Sequence, residues 1–409
     1  MTGPASVDMF DGIRVVELAQ WVFVPVAGAL LADWGADVVK VEHPDGGDGY
    51  RGLVTGSSGG ADGVNFSMEA ANRGKRSLAL DLKSPEGRAV MLKLIEHADV
   101  FLTNFLPSTL DRLGLGADAL RAVNPRLIYA RGHGYGVRGD DADTPAYDST
   151  AFWARGAVAE TLAPEGLPEP LPPRGALGDR NGAVHLAFGI AAALFRRERT
   201  GEGSVIDVSL LATAMWMITS DVLAAMQGSF RQSPPLGGRH AHPNPLAANY
   251  RCSDGRFLTL CCLQGDRYWA DVCRVLDRAD LAVDERFRDM ASRATHAADC
   301  VHALASTFAG RPLEEWRKRL ELERIPWAPF HRVTELVDDP QVTANGYIGT
   351  VAREDGTSFQ LPTGVVQFDE KPASLHPAPG LGEHTEEALL ELGYTWDDII
   401  ELKTMGVLL

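Results

Sequence analysis

Residues 13–42, IRVVELAQWVFVPVAGALLADWGADVVKVE, decide the fold. They open on a short β-branched run (13–18), pass through a stretch with helical spacing (24–34) and close on a second such run (37–42). Each run reads as a buried strand, and a strand, helix, strand order joins parallel neighbours. The alternation continues through apolar runs at 77–82, 99–103 and 126–131, with helical spacing at 85–97 and 116–123. Pro85 suits a first helical turn. The pattern predicts an α/β fold with a large, doubly wound, mainly parallel sheet.

Further along, NGAVHLAFGIAAALFRR (181–197) predicts a strongly apolar helix stopped near Gly201, followed by a sixth strand at 203–210 and a helix to about Gln227. Residues 229–249, rich in Pro, Gly and His, read as a long irregular connection and a domain boundary. Beyond them Asp254-Gly255 marks a hairpin within 250–263, and helical stretches at 266–276, 296–308 and 312–323 complete a smaller α+β domain. A second hairpin turns at Asp355-Gly356, and two helical pieces, 385–392 and 396–403, end the chain.

Length and composition agree with this picture. With 409 residues, 45% of them hydrophobic and 23% charged, the chain has the makeup of a folded globule of two domains. A net charge of −16 opposes binding to nucleic acid or an anionic membrane, so a polyanionic ligand has to be held by local cations. No apolar run reaches the roughly 20 residues that cross a bilayer, and MTGPASVDMFDG lacks the regions of a signal peptide, which predicts a cytoplasmic protein. The five cysteines contain no C-x-x-C pair and read as buried thiols.

Common signatures are missing. The first strand runs into Ala19-Gln20-Trp21-Val22-Phe23 with no glycine before Gly28, which argues against a dinucleotide site, and no metal-binding or serine-hydrolase motif occurs. What remains is loops bearing charge. Arg51 follows the second strand, Arg73, Lys75 and Arg76 precede the third, and Asn104, Phe105 and Arg112 follow the fourth. Cations among them could hold phosphates, or could be solvated turn residues.

Two acidic positions stand out. Asp179, in GALGDRNG just before the long apolar helix, is best accounted for on spacing alone as an N-cap, while the glycine beside it leaves room for a ligand. Tyr147 and Asp148 form a second pair after the fifth strand, with a capped helix start at Asp148 as the plain alternative. Gly237-Gly238 is a lid or merely a turn. Trp21, Phe152, Trp153 and Met215 are candidates for a substrate pocket or for core, and Arg239, His240 and His242 could meet a carboxylate.

Taken in order, these segments resemble the class III CoA-transferase family, which includes formyl-CoA transferase, carnitine CoA-transferases and α-methylacyl-CoA racemases. The similarity runs through DGIRVVE (11–17), WGADVVKVE (34–42), Lys75-Arg76-Ser77, LDLK (80–83), Asn104-Phe105, Leu113-Gly114, NPRLIYA (124–130), Gly178-Asp179 and LGEHT (381–385). It implies a Rossmann-like large domain from both chain ends (1–228 and 330–409), a small domain between (229–329), and an interlocked homodimer.

The resemblance makes Asp179 the nucleophile that takes CoA from an acyl-CoA thioester and passes it to a free carboxylic acid. It carries CoA contacts to Val22, Phe23, His43, Leu80, Lys83, Asn104, Phe105 and Arg112. Tyr147, Asp148 and the cover Gly237-Gly238 fall near the substrate. Coenzyme A enters as substrate, with no permanently bound cofactor and no metal. The racemase branch has a histidine where this chain has Tyr147, and a tyrosine with a pKa near 10 is a poor base at neutral pH, which favours transfer. The alternatives are a racemase and a non-catalytic CoA-binding homologue.

Overall fold

The computed structural model describes residues 8–53, 64–233 and 244–409. The chain divides into two compact units, residues 1–233 with 340–409, and 234–339. The divisions thus fall a few residues beyond 228 and ten beyond 329; the hydrogen bond from Glu165 N–H to Ser233 O keeps the end of the first segment with the larger unit.

The larger unit is built on six parallel strands: β1 (Arg14–Leu18), β2 (Asp37–Glu42), β3 (Arg76–Ala79), β4 (Val100–Thr103), β5 (Ile128–His133) and β6 (Val205–Ser209). Their order is β3-β2-β1-β4-β5-β6. This is a doubly wound arrangement whose direction of winding reverses between β1 and β4. The central strands carry Val, Ile, Leu and Phe on both faces because helices cover both.

One face is covered by α1 (Phe23–Ala32) and the 24-residue α7 (Leu177–Thr200), in a core that includes Val24, Val100, Leu102, Ile128, Leu186 and Ile190. The other face packs α3 (Pro85–Glu96), Leu110 of α4 (Pro107–Leu113), α5 (Ala117–Val123) and the terminal helices Thr385–Glu391 and Trp396–Thr404 around Phe101 and Tyr129. Leu80, just past β3, pairs with Leu408 of the C-terminal tail. The rest of the unit comprises α2 (Phe66–Asn72), α6 (Val158–Leu162), α8 (Leu210–Met217), α9 (Thr219–Met226) and the hairpin Ile348–Ala352 with Ser358–Pro362.

The smaller unit has a three-stranded antiparallel sheet, Asn249–Arg251, Phe257–Leu260 and Trp327–Pro329, packed with helices around Trp269, Phe308 and Trp316. Cys252, Cys262, Cys273 and Cys300 are buried in it and Cys261 is exposed, all of them free thiols. Burial pushes the Cys273 and Cys300 thiols up to about 12, so they are inert packing groups. Among the described residues no helix is long and apolar enough to cross a membrane, and no cluster of metal-ligating side chains occurs.

Candidate active site

Ligands of doubly wound sheets sit at the carboxyl ends of the strands that flank the reversal. Here that edge holds two adjoining cavities. The first, about 270 Å³, is lined by the loops after β1, β4 and β5 together with Asp179; the second, about 460 Å³, lies between the ends of β1 and β2, residues 80–83 and α4. Gln20, Phe105 and Thr109 line both, so the two form one trough.

Asp179 is not an N-cap. The helix begins two residues earlier, at Leu177, with Ala176 in the cap position at φ 58° and without a side-chain cap. The free N–H groups are instead served from 31 residues upstream, where Asp148 Oδ1 accepts the N–H of Asp179 at 3.1 Å. A Cβ on Gly178 would lie 2.4 Å from that same oxygen and 2.2 Å from Phe152 Cγ, so only glycine permits the approach. Asp148 itself opens a π-helical segment, Asp148–Ala154, with Tyr147 as its cap residue, and is 8% exposed. The supposed helix cap at Asp148 therefore serves a different helix. Relieved of capping, the Asp179 side chain faces the first cavity.

Its electrostatics follow. Burial and the nearby Asp148 carboxylate push Asp179 up to about 7, against a lowering by Arg180. Burial likewise raises Asp148, opposed by the N–H groups of Asp179 and Gly178. A carboxylate made more basic is a stronger nucleophile, and the first turn of α7 favours its ionised form.

The loop after β1 is held as tightly. Asn104 accepts the Gln20 N–H at 3.1 Å and donates to the Gln20 carbonyl at 2.7 Å. Asp48 Oδ1 accepts the Trp21 N–H at 3.0 Å, and Lys40 donates to the Ala19 carbonyl at 2.8 Å. Lys40 is fully buried between Glu17 (3.2 Å) and Asp48 (2.9 Å); burial opposes its charge, but those carboxylates raise its pKa. Trp21 sits in the left-handed region, φ 69°, which in a non-glycine residue costs about 1–3 kcal/mol and persists only where surroundings impose it.

The second cavity carries charge of both signs: of its carboxylates, Glu42 and Asp48 are paired with Arg51 and Lys40, and Asp81 lies 3.7 Å from His43. Lys83, Arg88 and Arg112 line the same cavity, and among the described residues none of them forms an ion pair. Arg88 is absent from the sequence-based candidates because a cation in a helix that has ordinary amphipathic spacing carries no local signal. By contrast, the cations expected near phosphate are consumed by structure: Arg51 pairs with Glu42 (2.6 Å), Arg73 with Asp33 (2.6 Å), Lys75 with Glu17 (2.8 Å) and Arg76 with Asp37 (2.7 Å). Arg73, Lys75 and Arg76 stand at the entry to β3, the end of the strand away from the trough.

The remaining candidates fall as follows. Val22, Phe23, Asn104, Phe105 and Tyr147 line the first cavity; His43, Leu80, Lys83, Phe105 and Arg112 line the second. Asn104 spends its amide on Gln20, so its part there is to hold the loop. Trp21 lines the first cavity, whereas Phe152 and Trp153 are core and Met215 is exposed on α8. Gly237, Gly238, Arg239, His240 and His242 lie outside the described residues.

Comparison with known proteins shows the family. The profile of CoA-transferase family III matches residues 10–385. The chain is 32% identical to the (R)-2-hydroxy-4-methylpentanoate CoA-transferase of Clostridioides difficile, over 98% of this chain and 99% of that one. It is 36% identical to the succinate–glutarate CoA-transferase of Agrobacterium fabrum, over 93% and 95%. A solved CAIB/BAIF family protein from Brucella suis superposes with a TM-score of 0.78 at 29% identity, covering 93% of this chain and 98% of that one. The chain belongs to CoA-transferase family III, and it is an enzyme that transfers CoA between acyl-CoA and carboxylate substrates.

Proposed function

We propose that this class III CoA-transferase works through a covalent intermediate on Asp179. The observation that carries the reading is a half-buried carboxylate of raised basicity, at the start of α7, facing the end of a trough whose far part is lined by three cations that, among the described residues, form no ion pair. Lys83, Arg88 and Arg112 suit the phosphates of CoA, Leu80 and His43 the nucleoside, and Phe105 with the loop at Val22 and Phe23 the pantetheine arm that reaches Asp179.

The chemistry balances at each step. An Asp179 oxygen attacks the thioester carbonyl, the C–S bond breaks, and a mixed anhydride and CoA thiolate result. The thiolate attacks the aspartyl carbonyl, breaking its bond to the bridging oxygen; the first acid leaves with an oxygen that came from Asp179, and an aspartyl-CoA thioester remains. The incoming carboxylate attacks that thioester, and the released thiolate then attacks the new acyl carbonyl, restoring the Asp179 carboxylate. The backbone N–H of Asp179 held by Asp148 keeps the nucleophile in register.

The homodimer belongs to the same proposal. It is supported by apolar side chains left in water on α7, α8 and α9, among them Phe188 (72% exposed), Trp216 (70%) and Met226 (79%). The functional test is isotope exchange between an acyl-CoA and a labelled acid. Asp179→Ala is expected to abolish it with the fold retained, and undiminished exchange would refute the assignment.

A further inference from the structure

Resting on the transfer reading above, we propose that Trp21 determines acyl specificity, and that the first cavity takes monocarboxylic acids with a flat or branched apolar tail in preference to dicarboxylic acids.

The walls of the cavity set the preference. Trp21, Phe105, Tyr135, Tyr147 and Leu210 line the cavity together with Asp179 and the uncharged polar Gln20, Asn104, Thr109 and Thr144, and among the described residues no lysine or arginine lines it. Its one histidine, His133, has Nε2 3.6 Å from Asp207. A second carboxylate on the substrate would thus share the cavity with Asp179 and, among the described residues, find no lysine or arginine there as counter-charge, which is unfavourable. Among the described residues, the unpaired cations on this trough line the other cavity, where CoA phosphates compete for them.

Trp21 is held from several sides. Its N–H is fixed by Asp48, the residue before it by both ends of the Asn104 amide, and the residue before that by Lys40. Its ring meets Tyr147 edge-on, 5.8 Å between centroids at 86°, and Tyr50 at 6.1 Å and 58°. A Cβ on Gly49 would come within 3.1 Å of the indole, so the Gly49 backbone backs the ring closely. A strained backbone, several side-chain anchors and two aromatic neighbours exceed what a loop needs merely to turn, and they give the cavity that Asp179 lines a rigid planar wall.

The test measures kcat/KM for CoA transfer by the full-length protein to 3-phenylpropanoate, 4-methylpentanoate, succinate and glutarate from one common acyl-CoA donor. The wild type is expected to favour the apolar acids by about tenfold or more, and Trp21→Ala to lose most of that ratio while Trp21→Phe retains it. Should Trp21→Ala fail to fold, Tyr147→Ala, an exposed position, is expected to lower the ratio in the same direction. Succinate or glutarate outperforming both apolar acids in the wild type, or a ratio untouched by these changes, overturns the proposal while leaving transfer itself intact. Exchange that survives Asp179→Ala overturns the transfer reading, and this one with it.

Discussion

Asp148 holds the N–H of Asp179 at 3.1 Å, so one carboxylate both caps the long helix and charges the surroundings of the other. The cap fixes where the start of the helix places Asp179; the charge, with burial, sets its basicity. Asp148→Asn separates these effects, because an amide oxygen still accepts the N–H while the charge is gone. With Asp179 pushed up to about 7, kcat/KM of the wild type should climb from about pH 6 to about pH 8. In Asp148→Asn the acid limb should move to lower pH, as read from a pH profile with a single acyl-CoA.

The same shift has a consequence for stability. Asp179 binds its proton more tightly in the folded chain, near 7, than at the ordinary 3.8. The stability tied to that proton is complete below 3.8 and is lost as pH rises through 7. Asp179→Asn removes the loss, so its melting temperature should exceed that of the wild type by a few degrees at alkaline pH, with the gap closing in acid. Melting curves across that range check the sign.

Among the described residues Lys83 and Arg112 form no ion pair, and they line the cavity that does not contain Asp179, so each should contribute to binding rather than to chemistry. Lys83→Ala and Arg112→Ala are each expected to raise KM for acyl-CoA about tenfold with little change in kcat. Added salt should weaken the wild type more than either variant.

To test the proposed dimer, Phe188→Glu combined with Trp216→Glu places charge in the exposed apolar face. Light scattering should then report half the mass of the wild type, with the far-UV spectrum retained.

Much of the sheet was legible from sequence because strands buried on both faces must be continuous apolar runs, as at Val15-Val16 and Val38-Val39. The site was legible only in part. Asp179 looked like a cap because the residue that does the capping lies 31 positions away and no spacing rule connects them. Arg51, Arg73, Lys75 and Arg76 read as phosphate ligands or solvated turn residues because ion pairs to Glu42, Asp33, Glu17 and Asp37 form only once the strands are side by side. The left-handed backbone of Trp21 was equally hidden, since the anchors of its loop come from Asp48, Lys40 and Asn104 on three other segments.

The covalent role of Asp179 can be tested directly by adding borohydride to the enzyme during incubation with acyl-CoA and mapping its peptides by mass spectrometry. An aspartyl-CoA thioester would be reduced to the alcohol, so the account predicts homoserine at position 179 only when acyl-CoA is present. Full turnover with an unmodified Asp179, or reduction at another carboxylate instead, would contradict it.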